Sequence, residues 1–238
     1  MVTGVQTCAL PISLNDTSPL ALLGGTFDPV HFGHLRIASE TAAALKLPEV
    51  RLIPSKTPVH RARPGASEAQ RMTMLKLAVT DVPGLAADDR ELNRDTPSYT
   101  VLTLESLRAE FPQRPLIWLI GIDAFMHINH WYEWSRLFEL AHFVVLNRPG
   151  FAVSQALSPV LADVWQGRLT RSLQTLTRRL HGNIYLHTVT PQAISATEIR
   201  NTIAAGAADS ALESLLPAPV LAYIRAHQLY LPENPPAL

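Results

Sequence analysis

One cysteine in 238 residues, Cys8, excludes an internal disulfide framework and fits a reducing cytoplasm. Net charge is missing as well: 20 Lys and Arg face 20 Asp and Glu. No global field therefore draws the chain to nucleic acid or to an anionic membrane surface, and any phosphate recognition must be local. No apolar run approaches the ~18 residues of a membrane span. Internal repeats and low-complexity tracts are absent too. What is present is a chain with 47% hydrophobic residues, long enough for one α/β domain with a sizeable core.

The opening Val2-Thr3-Gly4-Val5-Gln6-Thr7-Cys8-Ala9-Leu10-Pro11-Ile12 has no periodicity, no charge and no basic n-region, so it makes a poor signal peptide. It is similar to the in-frame translation of a sequencing-library adapter, and residues 1–13 are read as a non-native leader. Residues 14–231 then form a single domain, and the Pro-rich 232–238 a frayed tail.

Short apolar runs at 20–23, 50–53, 85–87, 116–120, 142–146 and 184–187 read as parallel strands buried on both faces. Helical patterns lie between them at 33–45, 67–80 and 99–110, with a broken stretch at 124–140. This alternation predicts a doubly wound α/β sheet, with ligands at the carboxyl ends of the strands near the switch in strand order. Residues 151–182 form a helical segment carrying Arg168, Arg171, Arg178 and Arg179, read as a solvated face. Apolar helix faces serve cores and interfaces alike, so the oligomeric state stays open.

The first strand runs into Gly24-Gly25-Thr26-Phe27-Asp28-Pro29-Val30-His31-Phe32-Gly33-His34, followed at once by a helix pattern. A strand, a glycine turn and a helix start place free backbone N–H groups before a phosphate. Gly24, Gly25 and Gly33 allow close backbone approach, since no Cβ intervenes. His31 and His34, three apart, project from one side of the first turn. Two histidines at a helix N-terminus suit a polyphosphate. A zinc site would need a third ligand, and no cysteine accompanies the pair.

A second anion motif is Ile194-Ser195-Ala196-Thr197-Glu198-Ile199-Arg200. Ser195 with Glu198 predicts a capping box and a helix running through Ile199 and Ile203 towards Gly206. Ser195, Thr197, Arg200 and the first N–H groups can face one anion. Asp123, after Gly121 and an apolar strand, is placed for ribose hydroxyls, for a helix N-cap, or for both.

Both motifs resemble the His-x-Gly-His and Ile-Ser-x-Thr-x-x-Arg signatures of a nucleotidyltransferase superfamily with a Rossmann-like fold. Arg90-Glu91-Leu92-Asn93-Arg94-Asp95-Thr96-Pro97-Ser98-Tyr99-Thr100, Gly121-Ile122-Asp123-Ala124, His130-Trp131-Tyr132-Glu133-Trp134 and the segment from Leu215-Leu216-Pro217 to Tyr230 resemble the bacterial nicotinate-nucleotide adenylyltransferases. The similarity runs from about residue 20 to residue 231 and includes a C-terminal helical portion. One departure is Val59 in Lys56-Thr57-Pro58-Val59-His60-Arg61, where the family carries a second proline.

The resemblance implies transfer of AMP from ATP to nicotinate mononucleotide, in the cytoplasm, with Mg²⁺ held mainly by ATP phosphates. It casts His31, His34 and Arg200 as catalytic. Gly24, Gly25, Thr26, Phe27, Gly33, Ser195, Thr197, Gly121, Asp123 and Arg148 would hold ATP. Ser98, Tyr99, Thr100, Trp131, Tyr132, His60 and Arg61 would hold nicotinate mononucleotide, with Trp131 stacking on the pyridine ring. The bland alternative makes Trp131, Tyr132 and Trp134 anchors of a loop against the core. The rival functions are phosphopantetheine adenylyl transfer, cytidylyl transfer, and nucleotide sensing without turnover.

Overall fold

The computed structural model describes residues 16–56, 64–153 and 157–232. The leader at 1–13, His60, Arg61 and all of the tail except Pro232 lie outside the described residues. The expected apolar runs form strands β1 Leu20–Gly25, β2 Glu49–Pro54, β3 Leu85–Ala87, β4 Leu116–Gly121 and β5 His142–Asn147. The run at 184–187 becomes Ile184–Thr188, which is β7, because a two-residue strand, β6 Leu169–Thr170, precedes it. That strand interrupts the segment expected to be helical. It is flanked by α6 Pro159–Arg168 and α7 Leu173–Arg178.

All pairings are parallel, in the order β3-β2-β1-β4-β5-β7-β6. The order reverses between β1 and β4, where crossovers depart in opposite directions and a crevice opens at the strand ends. Gly24-Gly25 and Gly121 sit at those two ends.

Both faces of the sheet are covered. Ala21, Val50, Leu52, Ile117, Leu119 and Val144 point to one core, shared with α1 Phe32–Leu45, α2 Glu68–Val79, α8 Ala196–Ala204 and α9 Ala218–Ala226. Leu20, Leu22, Ile53, Trp118, Ile120, Phe143 and Val145 point to the other. That face carries α3 Thr100–Glu110, α4 Ile122–Phe125, α5 Leu137–Leu140 and α6. The period-2 alternation of side chains survives although both faces are apolar.

The broken stretch resolves into α4, two 3₁₀ turns (Ile128–His130 and Trp134–Arg136) and α5. Arg168 of the basic segment donates to the Gly182 carbonyl at 3.1 Å and lies over the Phe138 ring, while Arg171, Arg178 and Arg179 are exposed. Among the described residues no helix is long and apolar enough to cross a membrane.

Candidate active site

The first motif is shaped by close packing. A Cβ at Gly24 would stand 2.8 Å from Cζ2 of Trp118 on the neighbouring strand, so only glycine lets β1 end against that indole. Phe27, at φ 49°, folds its ring back under Gly25 and meets His34 edge-on at 5.0 Å. His31 is the N-cap of α1, 5% exposed, and its ring stacks on His34 with centroids 3.8 Å apart.

The His31 backbone N–H donates to Nδ1 of His34 at 3.4 Å. In neutral His34 the ring proton therefore sits on Nε2, which becomes its donor. Burial pulls the His31 imidazole down to about 4, so it is neutral near pH 7. Its Nδ1 is buried on the side of the His34 backbone N–H, and the two histidines form a reciprocal capping box. The Phe32 N–H is taken by the Leu215 carbonyl at 2.9 Å, while the Gly33 N–H has no partner among the described residues.

The second motif begins α8 as expected, with Ser195 as N-cap, but the predicted capping box does not form. The Ser195 side chain makes no cap hydrogen bond, and Glu198 points to solvent. The helix start is thereby left open: the N–H groups of Ala196, Thr197 and Glu198 have no partner among the described residues. Arg200 instead turns to the first motif. Its Nη1 donates to the Asp28 carbonyl at 2.7 Å and its Nη2 to Thr197 Oγ1 at 3.2 Å. The motifs also touch directly, since a Cβ on Gly33 would lie 3.4 Å from Cβ of Ile194. Two helix N-termini, two imidazoles and one guanidinium thus converge, the electrostatic complement of a polyphosphate.

A second chain of contacts leads from this cradle to the Pro97-Ser98-Tyr99-Thr100 segment. Ser55 N–H donates to the Gly25 carbonyl at 2.9 Å. Arg71, 1% exposed, bridges the Thr26 and Lys56 carbonyls at 2.8 and 3.2 Å. Lys56 N–H in turn donates to Ser98 Oγ at 2.8 Å. Tyr99 stacks on Tyr132 with centroids 4.6 Å apart, and Thr100 opens α3. Trp131 is half-buried against the second core, as is Trp134, in keeping with a loop-anchoring role.

Gly121, not Asp123, is the N-cap of α4, so the capping alternative for Asp123 is overturned. The helix simply starts two residues earlier than that reading required. A Cβ on Gly121 would meet nothing within 4 Å, which leaves this end of β4 open. Asp123 is exposed and pairs with Arg148 at 2.7 Å, bringing together two of the expected ATP contacts at the ends of β4 and β5. Among the described residues no group of three or more His, Cys, Asp or Glu side chains converges as a metal site.

Sequence reasoning passed over Asp28, Arg71 and Tyr230. Asp28 is 5% exposed and accepts from Gly65 N–H, Ala66 N–H and the Tyr230 hydroxyl. The only signal for it was its place inside the first motif. Arg71 was hidden in an amphipathic helix pattern, and Tyr230 lies 202 residues from its partner.

A sequence profile described as cytidylyltransferase-like matches residues 22–202, from β1 through α8. A probable nicotinate-nucleotide adenylyltransferase of Aeromonas salmonicida is 44% identical over 213 residues, covering 90% of this chain and 97% of that protein. One of the same description from Xylella fastidiosa (strain M12) is 46% identical over 212 residues, covering 87% and 94%. The fold matches that of a Plasmodium falciparum nicotinic acid mononucleotide adenylyltransferase complexed with NaAD, with TM-score 0.66 at 15% identity, over 90% of this chain and 97% of that one. The profile match and 44–46% identity over 87–90% of the chain agree: the chain belongs to the cytidylyltransferase-like family and, within it, to the nicotinate-nucleotide adenylyltransferases.

Proposed function

We propose that this chain transfers AMP from ATP to nicotinate mononucleotide in the cytoplasm, forming nicotinate adenine dinucleotide and pyrophosphate in NAD biosynthesis. The observation that carries the reading is the joining of both phosphate motifs through Arg200 and Asp28, in a chain 44% identical to a protein named for that activity.

A phosphate oxygen of nicotinate mononucleotide attacks the α-phosphorus, and the bond to the bridging α,β oxygen breaks, so that pyrophosphate leaves with its electron pair. The nucleophile is already anionic near pH 7, and no general base is needed. Catalysis is then positioning and charge stabilisation. His34 donates from Nε2 to the phosphates, and the open N–H groups of Gly33, Ala196, Thr197 and Glu198 hold further oxygens. Arg200, with Ser195 and Thr197, neutralises the leaving pyrophosphate. Thr26 and Phe27 shape the turn over which the nucleotide lies, and Gly24 and Gly25 let it approach.

Asp123 takes the ribose hydroxyls, and Arg148 a phosphate oxygen once ATP competes for its pairing with Asp123. Nicotinate mononucleotide is held by Ser98, Tyr99, Thr100, Trp131 and Tyr132, together with His60 and Arg61. The donor set is built for anions, so Mg²⁺ would ride on ATP oxygens and water, supplying charge neutralisation at the phosphates.

The test is pyrophosphate release from ATP and Mg²⁺ with and without nicotinate mononucleotide, with the dinucleotide identified by chromatography. Release that requires both substrates supports the reading. Tight ATP binding without release would overturn it in favour of a sensing module.

A further inference from the structure

The cradle is tied to the far end of the chain. After α9, Gln228 and Tyr230 adopt left-handed backbone, at φ 51° and 63°. Non-glycine residues hold that conformation only where surrounding contacts impose it. Here the contacts are specific. Leu229 N–H donates to the Ile224 carbonyl at 3.0 Å, and Leu229 is buried.

The Tyr230 ring lies on Gly65, where a Cβ would stand 3.1 Å from Cδ1, and the same Cβ would be 3.7 Å from Cδ of Arg200. The Tyr230 hydroxyl donates to Asp28 Oδ1 at 2.7 Å. Burial and the Asp28 charge push this phenol far above its ordinary value, so it remains a donor at every working pH.

Asp28 divides its oxygens among several duties. Oδ1 takes the Tyr230 hydroxyl and the Ala66 N–H, at 2.7 and 3.1 Å. Oδ2 takes the Gly65 N–H at 2.7 Å and lies 3.8 Å from Nη1 of Arg200. The backbone carbonyl of Asp28 accepts from that same Nη1. One residue therefore fixes the guanidinium of the second motif and the chain that leads into α2 behind residues 57–63. Tyr230 is the one side chain that donates a hydrogen bond to the Asp28 carboxylate among the described residues.

We propose that Tyr230 is a positioning residue of the phosphate cradle: through Asp28, its hydroxyl holds Arg200 and the Gly65-Ala66 turn in the arrangement that binds the nucleotide triphosphate. The reading rests on the proposed adenylyl transfer for what the cradle does, and on the geometry alone for what Tyr230 positions.

Tyr230→Phe removes one oxygen and keeps the ring on Gly65. Calorimetry with ATP, pyrophosphate release and thermal melting are measured on the wild type, Tyr230→Phe, Arg200→Ala and the double variant. The expected result is an ATP affinity and a turnover each lowered about tenfold by Tyr230→Phe well below its melting temperature. In the Arg200→Ala background the same change should cost less than about twofold, because the two act as one unit. An unchanged affinity, or a loss that simply multiplies that of Arg200→Ala, overturns the proposal and leaves Tyr230 a packing residue. If ATP binds but the wild type releases no pyrophosphate, the proposed function fails while the affinities still decide Tyr230. If the wild type binds no ATP, both fail.

Discussion

The imidazoles of His31 and His34 stack face to face, centroids 3.8 Å apart and planes 29° from parallel, over a glycine at position 33. Two cationic rings would repel at that separation. The stack is held because burial keeps His31 neutral, down at about 4. Its geometry depends on Gly33, where a Cβ would come within 2.9 Å of the His31 Nδ1.

Gly33→Ala separates helix formation from function. Alanine favours the helix by up to about 1 kcal/mol over glycine, so stability should change little. The new methyl group must push the His31 ring off the stack, and turnover should fall at least about tenfold. Melting and steady-state rates on one preparation check this. An active variant would show that the stacked arrangement is not needed.

His34→Ala removes the Nε2 donor. Loss of one donor aimed at developing phosphate charge typically costs about 2.7–4 kcal/mol of barrier, or ~10²–10³ in rate. We expect that loss in kcat with the melting curve retained. A variant within about threefold of wild type would take His34 out of the mechanism.

Acid stability should carry the mark of two histidines. Burial lowers both His31 and His142 to about 4, against an ordinary 6.5. Nε2 of His142 donates to the Arg179 carbonyl at 2.8 Å, and its Nδ1 accepts from Asn183 N–H at 3.1 Å, so protonation at Nδ1 would destroy the second bond. Both folded values lie below the unfolded one, so unfolding takes up protons between them. Their contribution is full above pH 6.5 and is lost as pH falls through about 4. Each proton adds a slope of about 1.4 kcal/mol per pH unit near pH 5. Denaturant titrations at several pH values should give a shallower slope for His142→Gln. An unchanged slope would mean that His142 is not neutral in the fold.

Arg71→Met tests the buried tie between the first motif and the end of β2, which leads to Ser98. The Thr26 and Lys56 carbonyls each lose their guanidinium donor, and Asp28 loses a nearby cation. Removing one partner from a buried charged network costs about 3–5 kcal/mol. Chemical unfolding should show a loss of that order. A loss below about 1 kcal/mol would mean that water replaces the guanidinium at no cost.

Arg148→Ala should behave in the opposite manner. Its pair with Asp123 is exposed on both sides, 58% and 71%, and such pairs contribute about 0–1 kcal/mol. Stability should hold while the KM for ATP rises. An unchanged KM would confine Arg148 to the surface.

Much of the architecture was legible because buried parallel strands read as plain apolar runs, and both cores follow from them. β6 was not: two residues, one of them the exposed Leu169, leave no pattern between amphipathic helices. Local grouping was legible too. His31, Gly33, His34 and Arg200 announce themselves through spacing within a turn of helix. Spacing erred where it treated a helix end as closed on itself. Ser195 does not cap against Glu198, and Gly121 rather than Asp123 is the N-cap of α4. Nothing local could reveal Asp28 beside Tyr230 or Arg71 beneath Lys56, since those contacts exist only once the chain has folded.

In the proposed reaction, a phosphate cradle built from two distant motifs serves a carboxylate-bearing acceptor. The most direct test offers nicotinate mononucleotide, nicotinamide mononucleotide and phosphopantetheine in parallel, with ATP and Mg²⁺, and follows pyrophosphate. Turnover at least about tenfold faster with the nicotinate form is the predicted result, since a missing charged contact costs about that much or more. Faster turnover with phosphopantetheine, or release with none of the three, would contradict it.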